Sequence, residues 1–184
     1  MNLANNLTVL RILFTPVFVT SLVYFSPERP YLHAVSLVVF GLACLTDALD
    51  GTLARKLNQV TAFGAYLDPI ADKLLLLSGF LSLSFMSHLP DGMRIPAWVT
   101  ISVVARDIVI ILGATTIFIT TGALKAKPLF IGKITTVFQM FTLFLALTMS
   151  PAPFLTVFFF ATVFLNIASG IQYIRLGGKI VQAS

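Results

Sequence analysis

The most informative stretch of the sequence is residues 47–72, which read DALDGTLARKLNQVTAFGAYLDPIAD. Four of the seven acidic residues of the chain lie in this stretch, at Asp47, Asp50, Asp68 and Asp72, and strongly apolar sequence flanks it on both sides. Residues three or four apart lie on one face of an α-helix, so each pair of aspartates projects from one face. The short connection at residues 56–63 predicts an antiparallel hairpin of two helices in which the four carboxylates converge.

Convergence of these carboxylates has an energetic cost. A carboxylate in a membrane-embedded helix is unfavourable by about 2.5–3.5 kcal/mol on the most lenient scale, so four cost roughly 10 kcal/mol before their mutual repulsion. Such a cluster needs protons or cations, and carboxylate oxygens suit hard divalent ions such as Mg²⁺ or Mn²⁺. The stretch therefore predicts a cation site, and the alternative is that the aspartates are exposed charges at helix ends.

The composition excludes a soluble domain. The chain has 184 residues, of which 58% are hydrophobic and 10% charged, against about 25% charged in ordinary soluble domains. Its net charge of +5 comes from dispersed basic residues near span ends, which favours contact with anionic lipid headgroups over nucleic acid. The single cysteine, Cys44, precludes an intramolecular disulfide and is expected to pack as a small hydrophobe. The N-terminus shows no pattern of a removable signal peptide, and none is expected.

Six apolar stretches each approach the roughly 20 residues that a bilayer core requires. Proline- and glycine-rich turns or basic loops separate them. We predict an all-α fold in one domain spanning residues 1–184, an integral membrane bundle of six transmembrane helices at residues 7–25, 31–53, 62–87, 97–119, 129–149 and 154–174.

The loop charges predict the orientation of this bundle. Six basic residues lie in the loops after the second and fourth spans and in the C-terminal tail, namely Arg55, Lys56, Lys125, Lys127, Arg175 and Lys179. The opposite loops hold two, Arg29 and Arg94. Because positive loops prefer the cytoplasm, we expect both termini and the aspartates on the cytoplasmic side.

Further charged residues fall inside the spans, and we expect them to face the bundle interior. They are Arg11, Lys73, Arg106, Asp107 and Lys133. For Arg11 and Lys133 the alternative is that the side chain extends to the membrane surface. For Arg106 and Asp107 it is a local ion pair, which the geometry of adjacent helical residues disfavours.

The spacing of the central stretch resembles a family signature. Its pattern D-x2-D-G-x2-A-R-x8-G-x3-D-x3-D matches, at every fixed position, the motif of the CDP-alcohol phosphatidyltransferases. The resemblance implies an integral membrane enzyme that moves a phosphatidyl group from CDP-diacylglycerol to an alcohol and releases CMP. It also implies two divalent cations, Mg²⁺ or Mn²⁺, held by the four aspartates, with Asp72 as the general base.

The same resemblance implies a donor site. It assigns contacts with the cytidine diphosphate group to residues of the motif and of the first span, namely Thr8, Arg11, Asp50, Gly51, Ala54, Arg55 and Gly64. Close helix packing is the alternative role for the small residues among them.

Matches outside the motif concern the acceptor. The patterns N-x-L-T-x2-R at residues 5–11 and G-K-x2-T-x2-Q at residues 132–139 are similar to the branch that makes phosphatidylglycerophosphate and cardiolipin. Ala4 replaces a proline common in that branch. The implied acceptor-binding residues are basic, namely Arg106, Lys125, Lys127 and Lys133.

Three departures bear on which alcohol accepts the phosphatidyl group. Phosphatidylglycerophosphate synthases commonly carry glutamate, arginine and lysine where this chain has Asp107, Ala114 and Thr135. Because two cations are missing, the sequence leans slightly towards phosphatidylglycerol as acceptor, which is cardiolipin synthesis. The alternative is glycerol-3-phosphate.

A function of another class, a small transporter for divalent cations, would also use intramembrane acids. It does not require the small residues and Arg55 at these intervals. The family resemblance further implies a homodimer among membrane lipids, in a bacterial inner membrane.

Overall fold

The computed structural model describes the backbone of residues 3–57, 62–121 and 129–182, and the side-chain surroundings of residues 8–47, 70–117, 119 and 129–178. Within those ranges the chain is helical, with no strand. The helices are α1 (Leu3–Val23), α2 (Tyr31–Leu57), α3 (Ala62–Phe85), a short 3₁₀ helix (Asp91–Met93), α4 (Ala97–Thr121), α5 (Phe130–Leu147) and α6 (Ala152–Gln182).

Three stretches of the described chain are long and apolar enough to cross a membrane, namely Asp91–Ile117, Phe130–Leu147 and Ala152–Gly178. Shorter apolar stretches lie at Thr8–Val23 and Tyr31–Asp47. Large apolar side chains are exposed on these helices, such as Phe130 at 78% and Phe164 at 72%. Such surfaces suit lipid, as expected of an integral membrane protein. The described residues form six α-helices, and the prediction that all six span the membrane stays a prediction.

Helix ends differ from the predicted spans at several places, including the following three. α2 continues to Leu57 rather than 53, α3 ends at Phe85 rather than 87, and α6 continues to Gln182 rather than 174. The predicted ends followed the loss of apolar character. A helix leaving the bilayer keeps its backbone hydrogen bonds, and Gly177 and Gly178 cost only about 1 kcal/mol each in a helix interior.

The first of two compact units comprises Met1–Arg94 and Leu143–Ser150. Its core holds α1, α2 and α3 together through buried aromatic and aliphatic side chains, including Phe18 and Phe40, whose ring centroids lie 5.6 Å apart. His33 Nε2 lies 2.6 Å from the carbonyl oxygen of Leu147 and so contacts the last residue of α5.

The second unit comprises Ile95–Thr142 and Pro151–Ser184, which include α4, most of α5 and α6. A row of buried or half-buried polar side chains runs between these helices, and we call it the polar seam. Its described members are Ser102, Arg106, Thr135, Gln139, Thr142, Thr162, Asn166 and Ser169. Their hydrogen bonds replace those that water supplies in a soluble protein.

Candidate active site

Three helices bring one arginine and two of the predicted aspartates together. Arg11 Nη1 on α1 donates to Asp72 Oδ1 on α3 at 2.5 Å and lies 3.2 Å from Asp47 Oδ1 on α2. The Arg11 side chain is 1% exposed, while Asp47 and Asp72 are 33% and 24% exposed. A buried cation therefore lies between two partly accessible carboxylates, and we call this group the Arg11 triad.

The local sequence places each of these side chains on an interior face. One turn away on the same faces lie Thr8, Ala43 and Leu76, which are 1%, 0% and 2% exposed. These neighbours on α1, α2 and α3 pack inward, so the charged groups beside them also point inward. The same i, i+3 and i, i+4 periodicity that buries the apolar residues therefore places the three charged side chains in contact.

The charge balance of the Arg11 triad is negative. One guanidinium offsets one of the two carboxylates, and the second is left without a formal countercharge within the triad. Carboxylate oxygens that converge from separate helices and stay partly accessible are the ligands that Mg²⁺ and Mn²⁺ prefer. This donor set is of a kind that could hold a divalent cation, and Asp47 and Asp72 are the two predicted ligands whose side chains are described.

Six of the eight fixed residues of the motif have backbones in α2 or α3 but side chains outside the described ranges. They are Asp50, Gly51, Ala54, Arg55, Gly64 and Asp68, and the side chains of Lys125 and Lys127 also lie outside those ranges. Among the described side chains, no group of three or more histidine, cysteine, aspartate or glutamate residues is arranged to hold a metal. The four-aspartate site thus stays a prediction, of which the structure brings two members together.

The prediction that Arg11 is interior is confirmed, but its described contacts are with aspartates. The resemblance implied a donor contact for Arg11 and for Thr8. Thr8 is also buried, one turn before Arg11. The donor role of both residues stays a prediction.

A second charged group lies in the polar seam. Arg106 is 6% exposed and donates from Nη1 to Asp107 Oδ1 at 2.9 Å and from Nη2 to the Gly132 carbonyl at 3.2 Å. Its Nε and Nη2 each lie 3.4 Å from Ser169 Oγ. The guanidinium is therefore held by groups from α4, α5 and α6.

Two expectations about charged residues were wrong. Adjacent helical residues were not expected to pair, yet Arg106 and Asp107 do, because the long arginine side chain folds back to the neighbouring carboxylate. Lys133 was expected to face the bundle interior, and its side chain is exposed. Since Lys133 lies near the start of α5, its long side chain extends outward, which was the alternative.

Similarity to known proteins identifies the family. A sequence model described as CDP-alcohol phosphatidyltransferase matches residues 1–171. The chain belongs to this family.

Curated relatives share the family across much of the chain. A Bacillus subtilis (strain 168) protein named CDP-diacylglycerol–glycerol-3-phosphate 3-phosphatidyltransferase is 32% identical over 199 residues, covering 100% of this chain and 98% of the relative. An Aquifex aeolicus (strain VF5) protein of the same name is 36% identical over 143 residues, covering 78% of this chain and 74% of the relative.

A third relative matches a shorter part. A Mycobacterium tuberculosis (strain H37Rv) protein named probable phosphatidylglycerophosphate synthase is 41% identical over 107 residues, covering 58% of this chain and 48% of the relative. The chain therefore spans about half the length of that relative.

Several polar residues of α6 that contact α4 or α5 were missed from the sequence. Ser169 contacts Arg106, Tyr173 accepts a hydrogen bond from the Leu129 amide at 3.3 Å, and Asn166 accepts one from Gln139 at 2.7 Å. The signal was present, because Asn166, Ser169 and Tyr173 recur on one face of α6 at helical spacing. A polar stripe on an otherwise apolar helix marks such a face.

Proposed function

We propose that this phosphatidyltransferase transfers the phosphatidyl group of CDP-diacylglycerol to glycerol-3-phosphate, yielding phosphatidylglycerophosphate and CMP. The observation that carries the proposal is the similarity to the B. subtilis relative over practically the whole length of both chains. The names of the relatives favour glycerol-3-phosphate over phosphatidylglycerol, towards which the sequence alone leaned.

The departure at Thr135 is compatible with this choice. The side chain is 0% exposed, and its hydroxyl donates to the carbonyls of Ile131 at 2.7 Å and Leu165 at 3.4 Å. It therefore packs α5 against α6 in the polar seam. A threonine that serves packing carries little information about the charge of the acceptor.

The reaction displaces CMP by an alcohol. The acceptor hydroxyl oxygen forms a bond to the lipid-side phosphorus of CDP-diacylglycerol, and the bond from that phosphorus to the oxygen bridging the two phosphates breaks. CMP takes the bridging oxygen and its electron pair. The hydroxyl proton passes to a general base, for which we propose Asp72.

The aspartates are proposed to serve both the metal and the proton. Two divalent cations, held by Asp47, Asp50, Asp68 and Asp72, would neutralise the diphosphate and the leaving phosphate. Asp72 is suited to proton transfer because its carboxylate is partly exposed yet hydrogen-bonded to Arg11, which fixes its position on α3. Arg11 also balances part of the carboxylate charge.

Substrate binding is proposed to use the remaining residues. The phosphate monoester of the acceptor carries nearly two negative charges at neutral pH, and a buried arginine recognises such a group by charge-assisted hydrogen bonds. We propose Arg106 for this contact, together with Lys125, Lys127 and Lys133. The donor contacts proposed from the motif are those of Thr8, Arg11, Asp50, Gly51, Ala54, Arg55 and Gly64.

The setting is proposed from charge and family. Both termini and the active site face the cytoplasm, six helices span a bacterial inner membrane, and the chain forms a homodimer. The test of the proposed reaction is CMP release by the purified protein with CDP-diacylglycerol, Mg²⁺ and each acceptor in turn. Glycerol-3-phosphate is expected to give the higher kcat/KM.

A further inference from the structure

The orientation of the Arg106 guanidinium is set by three separate parts of the fold. Nη1 donates to Asp107 on the same helix, Nη2 donates to the Gly132 carbonyl on α5, and Nε approaches Ser169 Oγ on α6. An arginine offers five N–H donors in one rigid plane, so contacts on three sides determine where the remaining donors point.

Gly132 admits this arrangement because it has no side chain. A Cβ atom at residue 132 would lie 3.2 Å from Arg106 Nη2, 3.1 Å from the Tyr173 hydroxyl oxygen and 3.3 Å from Tyr173 Cε2. Gly132 is itself buried, and these neighbours would have to shift by a few tenths of an ångström to admit a Cβ atom. A methyl group here would press on the guanidinium and the phenol together.

Tyr173 is fixed from the other side. Its hydroxyl oxygen accepts the backbone N–H of Leu129 at 3.3 Å, just before the first turn of α5. An amide at that place has no partner within the helix, so the phenol satisfies it. The ring therefore cannot move away from Gly132 without losing this hydrogen bond.

We propose that Gly132, Ser169 and Tyr173 are positioning residues that aim the Arg106 guanidinium at the phosphate of the acceptor. We call these three residues the Arg106 cradle. The inference rests on the proposed function, because it assigns Arg106 to a phosphate monoester. Among its described contacts, Nη1 gives one of its two hydrogens to Asp107, and the cradle directs the other to the ligand.

The test compares two glycines. Gly132→Ala places a methyl group against Arg106. Gly170→Ala adds the same group at a buried position on α6, where the new Cβ atom would meet no other side chain or helix within 4 Å. Ser169→Ala and Tyr173→Phe remove single hydroxyls, and Ser169→Thr restores one. Each purified variant is assayed for kcat and for separate KM values of glycerol-3-phosphate and CDP-diacylglycerol. Binding of glycerol-3-phosphate is measured by calorimetry and thermal stability by melting.

Gly132→Ala and Ser169→Ala are expected to raise the KM and the Kd of glycerol-3-phosphate at least tenfold, which corresponds to about 1.4 kcal/mol. The KM of CDP-diacylglycerol and the melting temperature should stay near wild type, and Gly170→Ala and Ser169→Thr should stay within about threefold. Gly132→Ala behaving like Gly170→Ala overturns the cradle, as does an equal rise of both KM values with a lower melting temperature.

Arg106→Ala distinguishes a failure of the cradle proposal from a failure of the proposed function. If Arg106→Ala weakens glycerol-3-phosphate binding and the cradle variants do not, the cradle alone is wrong. If the wild-type protein neither binds glycerol-3-phosphate nor releases CMP in its presence, the proposed function is wrong. The cradle proposal, which rests on that function, is then wrong as well.

Discussion

Arg11 Nη1 lies 2.5 Å from Asp72 Oδ1, and the same nitrogen lies 3.2 Å from Asp47 Oδ1. One buried guanidinium thus joins the first and the last aspartate of the family motif, which lie on different helices. Since Arg11 is buried and both carboxylates contact the same nitrogen, Arg11 holds the two aspartates close together. The arrangement explains how two acidic helices pack together in an apolar core.

Arg11→Gln tests this role by removing the charge and keeping a hydrogen-bonding group. Breaking a buried ion pair costs about 3–5 kcal/mol, which partial exposure of the aspartates reduces here to roughly 2 kcal/mol. At about 2–4 °C per kcal/mol, the melting temperature in EDTA should fall by roughly 4–8 °C. Mg²⁺ should reduce this fall in melting temperature, because a divalent cation also offsets the negative charge of the carboxylates.

Arg94→Gln is the matched control, since its ion pair with Asp91 is exposed on both sides and worth little. Equal melting of Arg11→Gln and wild type in EDTA would show that the triad does not stabilise the fold. If Mg²⁺ leaves the difference in melting temperature between Arg11→Gln and wild type unchanged, Arg11 is not coupled to the metal site.

Asp72→Asn tests the general base. The amide keeps the shape of the side chain but accepts no proton, so kcat should fall by about 10²–10⁴. Binding of CDP-diacylglycerol should change less, because a base acts mainly in the transition state. Asp91→Asn, at a side chain 97% exposed, is the control. Near-normal kcat in Asp72→Asn would assign the base to another group.

Chelation tests the cation requirement. The carboxylate charge of the Arg11 triad exceeds what one arginine offsets, so we expect EDTA to abolish CMP release and Mg²⁺ or Mn²⁺ to restore it. Asp47→Asn should raise the metal concentration that gives half-maximal activity, because it removes a ligand. Full turnover in excess EDTA is incompatible with the proposed metal site.

Cysteine labelling tests the orientation. In a Cys44→Ala background, which removes the single native cysteine, a cysteine replacing Lys56 or Lys125 should react with an impermeant maleimide only from the cytoplasmic face. A cysteine replacing Arg94, which is exposed, should react only from the opposite face. The reverse pattern would invert the proposed topology.

Local periodicity was enough to predict the elements and part of the site. Asp47 and Asp72 meet because their helices bury the faces on which apolar neighbours recur, and a sequence shows that recurrence directly. The contacts of Arg11 with Asp47 and Asp72 could not be predicted from the sequence. They depend on how α1 packs against α2 and α3, and residue spacing within one helix does not show that packing. The predicted helix ends were wrong where the helix continues beyond the apolar part of its sequence, as in α6.

The polar seam shows a different limit. Residues such as Ser169 and Tyr173 look like isolated polar positions in an apolar helix until their partners on α4 and α5 are known. The Arg106–Asp107 pair was disfavoured by helix geometry, yet a flexible side chain bridged it. Thr135, taken as a missing cation, proved to be a packing residue bonded to backbone.

The most direct test is the choice of acceptor by the purified protein in mixed micelles with CDP-diacylglycerol and Mg²⁺. CMP release is measured with glycerol-3-phosphate, phosphatidylglycerol or no acceptor, and Asp72→Asn gives the background rate. We predict that kcat/KM for glycerol-3-phosphate exceeds that for phosphatidylglycerol at least tenfold, with phosphatidylglycerophosphate as the lipid product. Faster CMP release with phosphatidylglycerol, yielding cardiolipin, would contradict the proposed reaction, and CMP release with neither acceptor would contradict it as well.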